Sequence, residues 1–172
     1  RKYTLNKVKR YLLNKNVLEV GSGIGSFSEI LLKHVDKLTL VEPDEEFCNL
    51  LQKKFKDSPK VEQIHNGTVS KIKDKKFDAI IHFHVLEHIE NDNAEILKNL
   101  DLLNDDGYLI ICVPSFMSLY SKFDKAVGHH KRYTKEDFFK FDLKKNNIIK
   151  MFYLDSSGYI IYKLFKFFLN SE

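Results

Sequence analysis

The segment Asn16-Val17-Leu18-Glu19-Val20-Gly21-Ser22-Gly23-Ile24-Gly25-Ser26-Phe27 constrains this chain more than any other. A short apolar run with an acid near its end reads as a buried strand, and three glycines at alternate positions follow it. Glycine tolerates positive φ and lets a ligand approach the backbone without meeting a Cβ. Phe27, Ile30, Leu31 and Leu32 then recur at helical spacing, so the order is strand, tight loop, helix. The unpaired N–H groups and positive dipole end of that helix face whatever lies over the loop, which suits a carboxylate or phosphate.

A second apolar run, Lys37-Leu38-Thr39-Leu40-Val41-Glu42, again ends in an acid, followed by Pro43-Asp44. In open α/β sheets the ligand lies beyond the carboxyl ends of the strands, where an acid can accept both hydroxyls of a ribose. Glu42 is the candidate. Asp44 can cap a helix running to about residue 56, with Phe47, Leu50, Leu51 and Phe55 on its apolar face. Strands are expected at 61–65, with Asn66-Gly67 as the turn, and then at 77–85 and 107–114. A helix is expected over 93–103, another near 135–145, and a last strand near 148–154. Repeated βα units imply an α/β fold with a mostly parallel sheet and right-handed crossovers.

A length of 172 residues, 43% hydrophobic and 30% charged, fits a single folded domain over 1–172. Within it we expect an N-terminal helix over 1–15, an insertion over 116–134 and an apolar helix over 159–172. The chain does not begin with Met, and flanking segments are expected. Cys48 and Cys112 lack metal-site or redox spacing and read as reduced core thiols of a cytoplasmic protein. No signal peptide or membrane-length apolar run is present. The net charge of +4 comes from scattered lysines without an arginine–aromatic cluster, so no nucleic-acid partner is expected. Residues 159–169 are apolar nearly all round, broken by Lys163 and Lys166; they pack on the domain or, alternatively, touch a membrane surface.

A dinucleotide-binding loop would carry its third glycine at 26, where this chain has Ser26. The Gly-x-Gly-x-Gly spacing, with Glu19 two residues ahead, resembles the first motif of the class I S-adenosylmethionine-dependent methyltransferases. The resemblance continues through Phe77-Asp78-Ala79-Ile80-Ile81, Val85-Leu86-Glu87-His88-Ile89-Glu90 and Asp106-Gly107-Tyr108-Leu109-Ile110. Val113-Pro114-Ser115, with Gly128-His129-His130-Lys131-Arg132-Tyr133-Thr134, is similar to a bacterial subgroup carrying a Gly-His-x-Arg-Arg-Tyr-like insertion. Members usually carry a seventh strand, which is not legible here.

The resemblance implies a Rossmann-like, three-layer α/β sandwich around a doubly wound sheet, with S-adenosyl-L-methionine as cofactor and S-adenosyl-L-homocysteine as product. It places the cofactor on Glu19, Gly21, Ser22, Gly23, Gly25, Glu42 and Pro43, with Gly67 and Thr68 at the adenine and His82, Phe83 and His84 along its edge. An oxygen nucleophile must lose its proton, and a histidine titrating near neutrality is a suitable base. His129 matches the histidine of the subgroup motif and is the first candidate; His130 is the second. Tyr120 and Arg132 are candidates for binding the acceptor and Tyr133 for closing over it, although Arg132 can instead pair with Asp124 and pin the insertion. His82 and His84 would share a strand face, yet zinc sites draw on a tighter ligand set, so no metal is expected. Glu87 and Glu90 read as helix-start acids.

His82-Phe83-His84-Val85 stands where amino-methylating DNA enzymes have an Asp/Asn-Pro-Pro-aromatic tetrapeptide, and Val113-Pro114-Ser115 lacks a Pro-Cys nucleophile. What remains is a small molecule or a glycan, methylated on a hydroxyl. The alternatives are a degenerate cofactor-binding scaffold and a nicotinamide-dependent oxidoreductase.

Overall fold

The architecture follows from the alternation of side chains along one central strand. In the computed structural model, which describes residues 2–141, 143 and 148–154, β1 (Asn16–Val20) lies between β2 (Lys37–Glu42) and β4 (Phe77–Phe83). Beyond these lie β3 (Val61–Asn66) and β5 (Leu103–Cys112), giving the order β3-β2-β1-β4-β5 with every pairing parallel. Strand order reverses between β1 and β4, which creates a crevice at their carboxyl ends.

Successive residues of a strand face opposite sides, and here both sides are covered. Val17, Leu38, Leu40, Ala79 and Ile81 share one core with Leu5, Leu12, Leu31, Leu51 and Phe55, drawn from the N-terminal segment and from the two crossover helices. Those elements are α1 (Lys2–Val8) with the 3-10 turn Lys9–Tyr11, α2 (Ser28–Leu31) and α3 (Glu45–Phe55). Leu18, Val20, Val41 and Ile80 face the other way, onto Val69 and Ile72. On that side α4 (Asp92–Asp101) packs against β5 and the turn Val69–Lys71. This is the expected doubly wound sandwich.

Several boundaries differ from expectation for physical reasons. Asp44 does cap α3, accepting the Phe47 N–H at 2.9 Å, but the buried face is Cys48, Leu51 and Phe55. Phe47 and Leu50 are exposed, because α3 is rotated to bring Leu51 and Phe55 under the glycine loop. The helix after that loop spans only four residues. β5 begins at Leu103 rather than 107: Phe77 pairs with Leu103 but Ala79 with Tyr108, so the stretch between bulges out.

The chain divides into two compact units, Arg1–Val113 and Pro114–Glu172. In the second, α5 (Lys122–Ala126) and α6 (Lys135–Phe138) are joined by a loop whose Tyr133 bridges in parallel to Ser115. The expected helix near 135–145 is thus one turn long, and residues 148–154 form no strand. The apolar tail over 159–172 lies outside the described residues.

Candidate functional site

The three loop glycines all have positive φ, at +68°, +53° and +77° for Gly21, Gly23 and Gly25, but their surroundings differ. A Cβ at Gly21 would sit 2.5 Å from Val85 Cγ2, and one at Gly25 would sit 2.8 Å from both Leu51 Cδ2 and Phe55 Cε2. Those two glycines let neighbouring segments close on the loop. Among the described residues, a Cβ at Gly23 would meet nothing within 4 Å. Gly23 alone faces open space.

Glu42, at the end of β2, fixes that middle glycine. Its Oε2 accepts the Gly23 N–H at 2.7 Å, and its Oε1 accepts the Asp44 N–H at 3.0 Å. Each carboxylate oxygen has a second lone pair for a ligand hydroxyl. Glu19 is buried beneath the loop, where Ser28 Oγ donates to its Oε2 at 2.5 Å, and Ser22 Oγ lies 3.4 Å from the Glu19 carbonyl oxygen. The partner Ser28 was not singled out in the sequence, although its place at the start of the helix after the loop offered a signal. Gly67 takes φ +140° and donates its N–H to the Glu42 carbonyl oxygen at 2.9 Å, which places Gly67 and the exposed Thr68 beside Pro43 and the end of β2.

The two histidines at the end of β4 differ in burial. His82 is 1% exposed, and among the described residues its ring nitrogens have no hydrogen-bond partner. Burial pushes it down to about 4, against the opposing pull of Asn99 and Glu87, so it is neutral and belongs to the interior rather than to a ligand's edge. Phe83 turns to the opposite layer and stacks on Phe27, with ring centroids 4.3 Å apart. His84 leaves the strand pattern altogether, with φ +59° and its side chain half exposed. Its Nδ1 lies 3.2 Å from Oε1 of Glu87, which is fully buried in the first turn of the 3-10 helix Leu86–His88. The Cys112 sulfur and the Glu87 carboxylate both favour the charged ring and raise His84 to about 9.

In the second unit the insertion is organised by Asp124, which is fully buried. Arg132 donates to it through Nε at 2.8 Å and Nη2 at 3.0 Å, and Ser121 through its N–H and its hydroxyl at 2.9 Å each. His129 Nδ1 lies 2.9 Å from the same carboxylate. Burial alone would raise Asp124, but Arg132, His129 and Ser121 outweigh it and hold the carboxyl far below the usual range. The guanidinium expected to meet the acceptor is therefore engaged within the insertion. Tyr120 donates its hydroxyl to the His129 carbonyl oxygen at 2.6 Å, and His130 is exposed. Tyr133 is 1% exposed and packs on Phe138, a core residue of this unit rather than an open flap.

An all-parallel sheet of this order, with a glycine loop after β1 and an acid after β2, defines the class I methyltransferase fold. The chain belongs to the methyltransferase-domain family, whose model matches residues 2–152. It is 31% identical over 111 residues to ribosomal RNA small subunit methyltransferase A of Fusobacterium nucleatum, covering 57% of this chain and 38% of that enzyme. Among solved structures it is similar to an S-adenosylmethionine-dependent methyltransferase from Clostridium acetobutylicum. That match has a TM-score of 0.59 at 18% identity and covers 69% of this chain and 50% of the other. It is also similar to the N-methyltransferase NodS of Bradyrhizobium japonicum, solved with S-adenosyl-L-homocysteine. Here the TM-score is 0.62 at 18% identity, over 76% of this chain and 67% of that one. The chain thus spans half or less of the Fusobacterium and Clostridium relatives. Among the described residues no helix is long and apolar enough to cross a membrane.

Proposed function

We propose that this chain transfers a methyl group from S-adenosyl-L-methionine to a hydroxyl of a small molecule or glycan. The observation that carries the reading is the open space at Gly23 beside a Glu42 carboxylate already oriented by two backbone N–H groups. Bound there, the cofactor supplies an activated methyl group and leaves as S-adenosyl-L-homocysteine. Glu42 would hold the ribose hydroxyls, the 21–25 loop would face the amino-acid portion, and Gly67 and Thr68 would flank the adenine. Pro43 and Phe83 complete the walls.

His129 is the proposed base. Asp124 holds the ring through Nδ1, the arrangement by which a buried carboxylate orients a catalytic histidine. Arg132, Ser121 and Tyr120 fix Asp124 and the His129 backbone, so they act on the base through its supports.

Calorimetry with S-adenosyl-L-homocysteine tests the cofactor site: wild type should bind and Gly23→Leu should not. Transfer of labelled methyl to a panel of hydroxylated sugars tests the activity, and binding without turnover would leave a cofactor-binding scaffold. Similarity to the Fusobacterium ribosomal RNA enzyme supports an RNA acceptor as the second reading. Methylation of ribosomal RNA in place of the sugars would favour it.

A further inference from the structure

His84 is the first residue beyond β4, and its N–H donates to the Cys112 carbonyl oxygen at 2.9 Å, which ties it to the end of β5. On the other side of β4, His82 pairs with Val20 of β1, and Val85 approaches Gly21 so closely that a Cβ there would clash with it. His84 therefore stands at the switch point, beside the glycine loop. A left-handed histidine costs about 1–2 kcal/mol and persists only where its surroundings enforce it. Its ring meets Phe83 edge-on at 4.9 Å and Glu87 through Nδ1, while among the described residues Nε2 has only the Cys112 sulfur, a weak acceptor, at 4.0 Å. Among the described residues, Glu87 and Cys112 are the titratable groups that act on the ring.

We propose that His84, braced by Glu87, is an anion-binding group at the β1–β4 switch point that donates its Nε2 proton to a carboxylate or phosphate oxygen. A base role fits poorly, because the ring stays protonated to about pH 9 and has no lone pair to offer near neutrality. A role confined to neutralising Glu87 does not need a ring that is 51% exposed beside a carboxylate that is wholly buried. The anion has two possible sources, the amino-acid carboxylate of the cofactor or an acidic group on the acceptor. Naming either source rests on the methyltransferase reading.

Nitrogen-resolved NMR of the histidine rings tests the site in the wild-type chain. The His84 signal is identified with His84→Asn, because asparagine tolerates the left-handed backbone. If the cofactor is the source, S-adenosyl-L-homocysteine shifts the Nε2 resonance and its decarboxylated analogue does not. If the acceptor is the source, acetate or inorganic phosphate shifts it in protein already saturated with S-adenosyl-L-homocysteine. In either case H84N weakens binding of the effective probe about tenfold or more, the scale of a charge-assisted hydrogen bond. A ring unmoved by all of these probes overturns the proposal, as does equal affinity of wild type and a folded H84N. Should H84N fail to fold, the wild-type titration with each probe still decides. If S-adenosyl-L-homocysteine does not bind but acetate or phosphate moves the ring, the anion site stands and the methyltransferase reading falls.

Discussion

Arg132 grips Asp124 with two parallel hydrogen bonds, from Nε to Oδ1 at 2.8 Å and from Nη2 to Oδ2 at 3.0 Å. The carboxylate is fully buried and the guanidinium one-fifth exposed, so this is an interior pair whose loss leaves an uncompensated charge. Arg132→Ala should destabilise the second unit by about 3–5 kcal/mol, read as a lower urea midpoint for the 114–172 region. An unchanged midpoint would return Arg132 to the role of acceptor contact. Arg132→Lys should rescue only part of the loss, because an ammonium cannot reproduce the bidentate fork.

His129→Ala separates support from chemistry. Removing the imidazole should leave S-adenosyl-L-homocysteine affinity near wild type and lower turnover by about 100- to 10,000-fold, the range for loss of a general base. Full activity across pH 6 to 9 would send the search to His130, or to a displacement that needs no enzyme base.

The three glycines should respond differently to alanine. Gly21→Ala combines left-handed strain with a 2.5 Å clash against Val85 and should cost about 2–4 kcal/mol of stability. Gly23→Ala carries the strain alone and should cost about 1–2 kcal/mol. Urea titrations of the ligand-free variants check the order. Glu42→Ala should weaken S-adenosyl-L-homocysteine binding by about 1–3 kcal/mol through lost hydrogen bonds to the ribose; unchanged calorimetric affinity would remove Glu42 from the site.

His82 and His84 make stability depend on pH in opposite directions. The folded His82 refuses a proton until about pH 4, whereas the unfolded residue accepts one near 6.5. Stability therefore falls as pH drops through that window, by roughly 3 kcal/mol at its acid end. His84 is held above its unfolded value, so its contribution is complete below 6.5 and is lost as pH rises through about 9. Asp124, held low, contributes above the ordinary carboxylate range and loses that contribution only as pH falls through its folded value. His82→Leu should flatten the limb between pH 6.5 and 4 in denaturant titrations at stepped pH. An unaltered limb would assign the acid sensitivity elsewhere.

What the sequence reveals is what lies close together along it. The glycine loop, the acid ending β2 and the Asp44 cap each combine a residue type with a spacing of a few positions, and each is found where the pattern places it. Contacts made across the fold are less legible. Nothing in Phe77–Phe83 announces that His82 would be sealed inside while His84, two residues on, would twist into a left-handed turn over a buried Glu87. A period-two pattern speaks of faces and not of depth, and β4 ends between the two residues. The Arg132–Asp124 pair was legible as an alternative because eight residues and a capping turn bring the two together. The short α6 was not, since Phe138, Phe139 and Phe141 suggest a longer apolar face than the single turn formed.

The clamp of Glu42 on the Gly23 and Asp44 N–H groups has a kinetic consequence. A loop already held by a carboxylate does not wait for a ligand to order it. Capture of a ligand at Gly23 should then proceed in one step, with no slow closing phase on this side of the crevice. Loop variants that leave the clamp intact would differ from one another chiefly in how long the ligand stays.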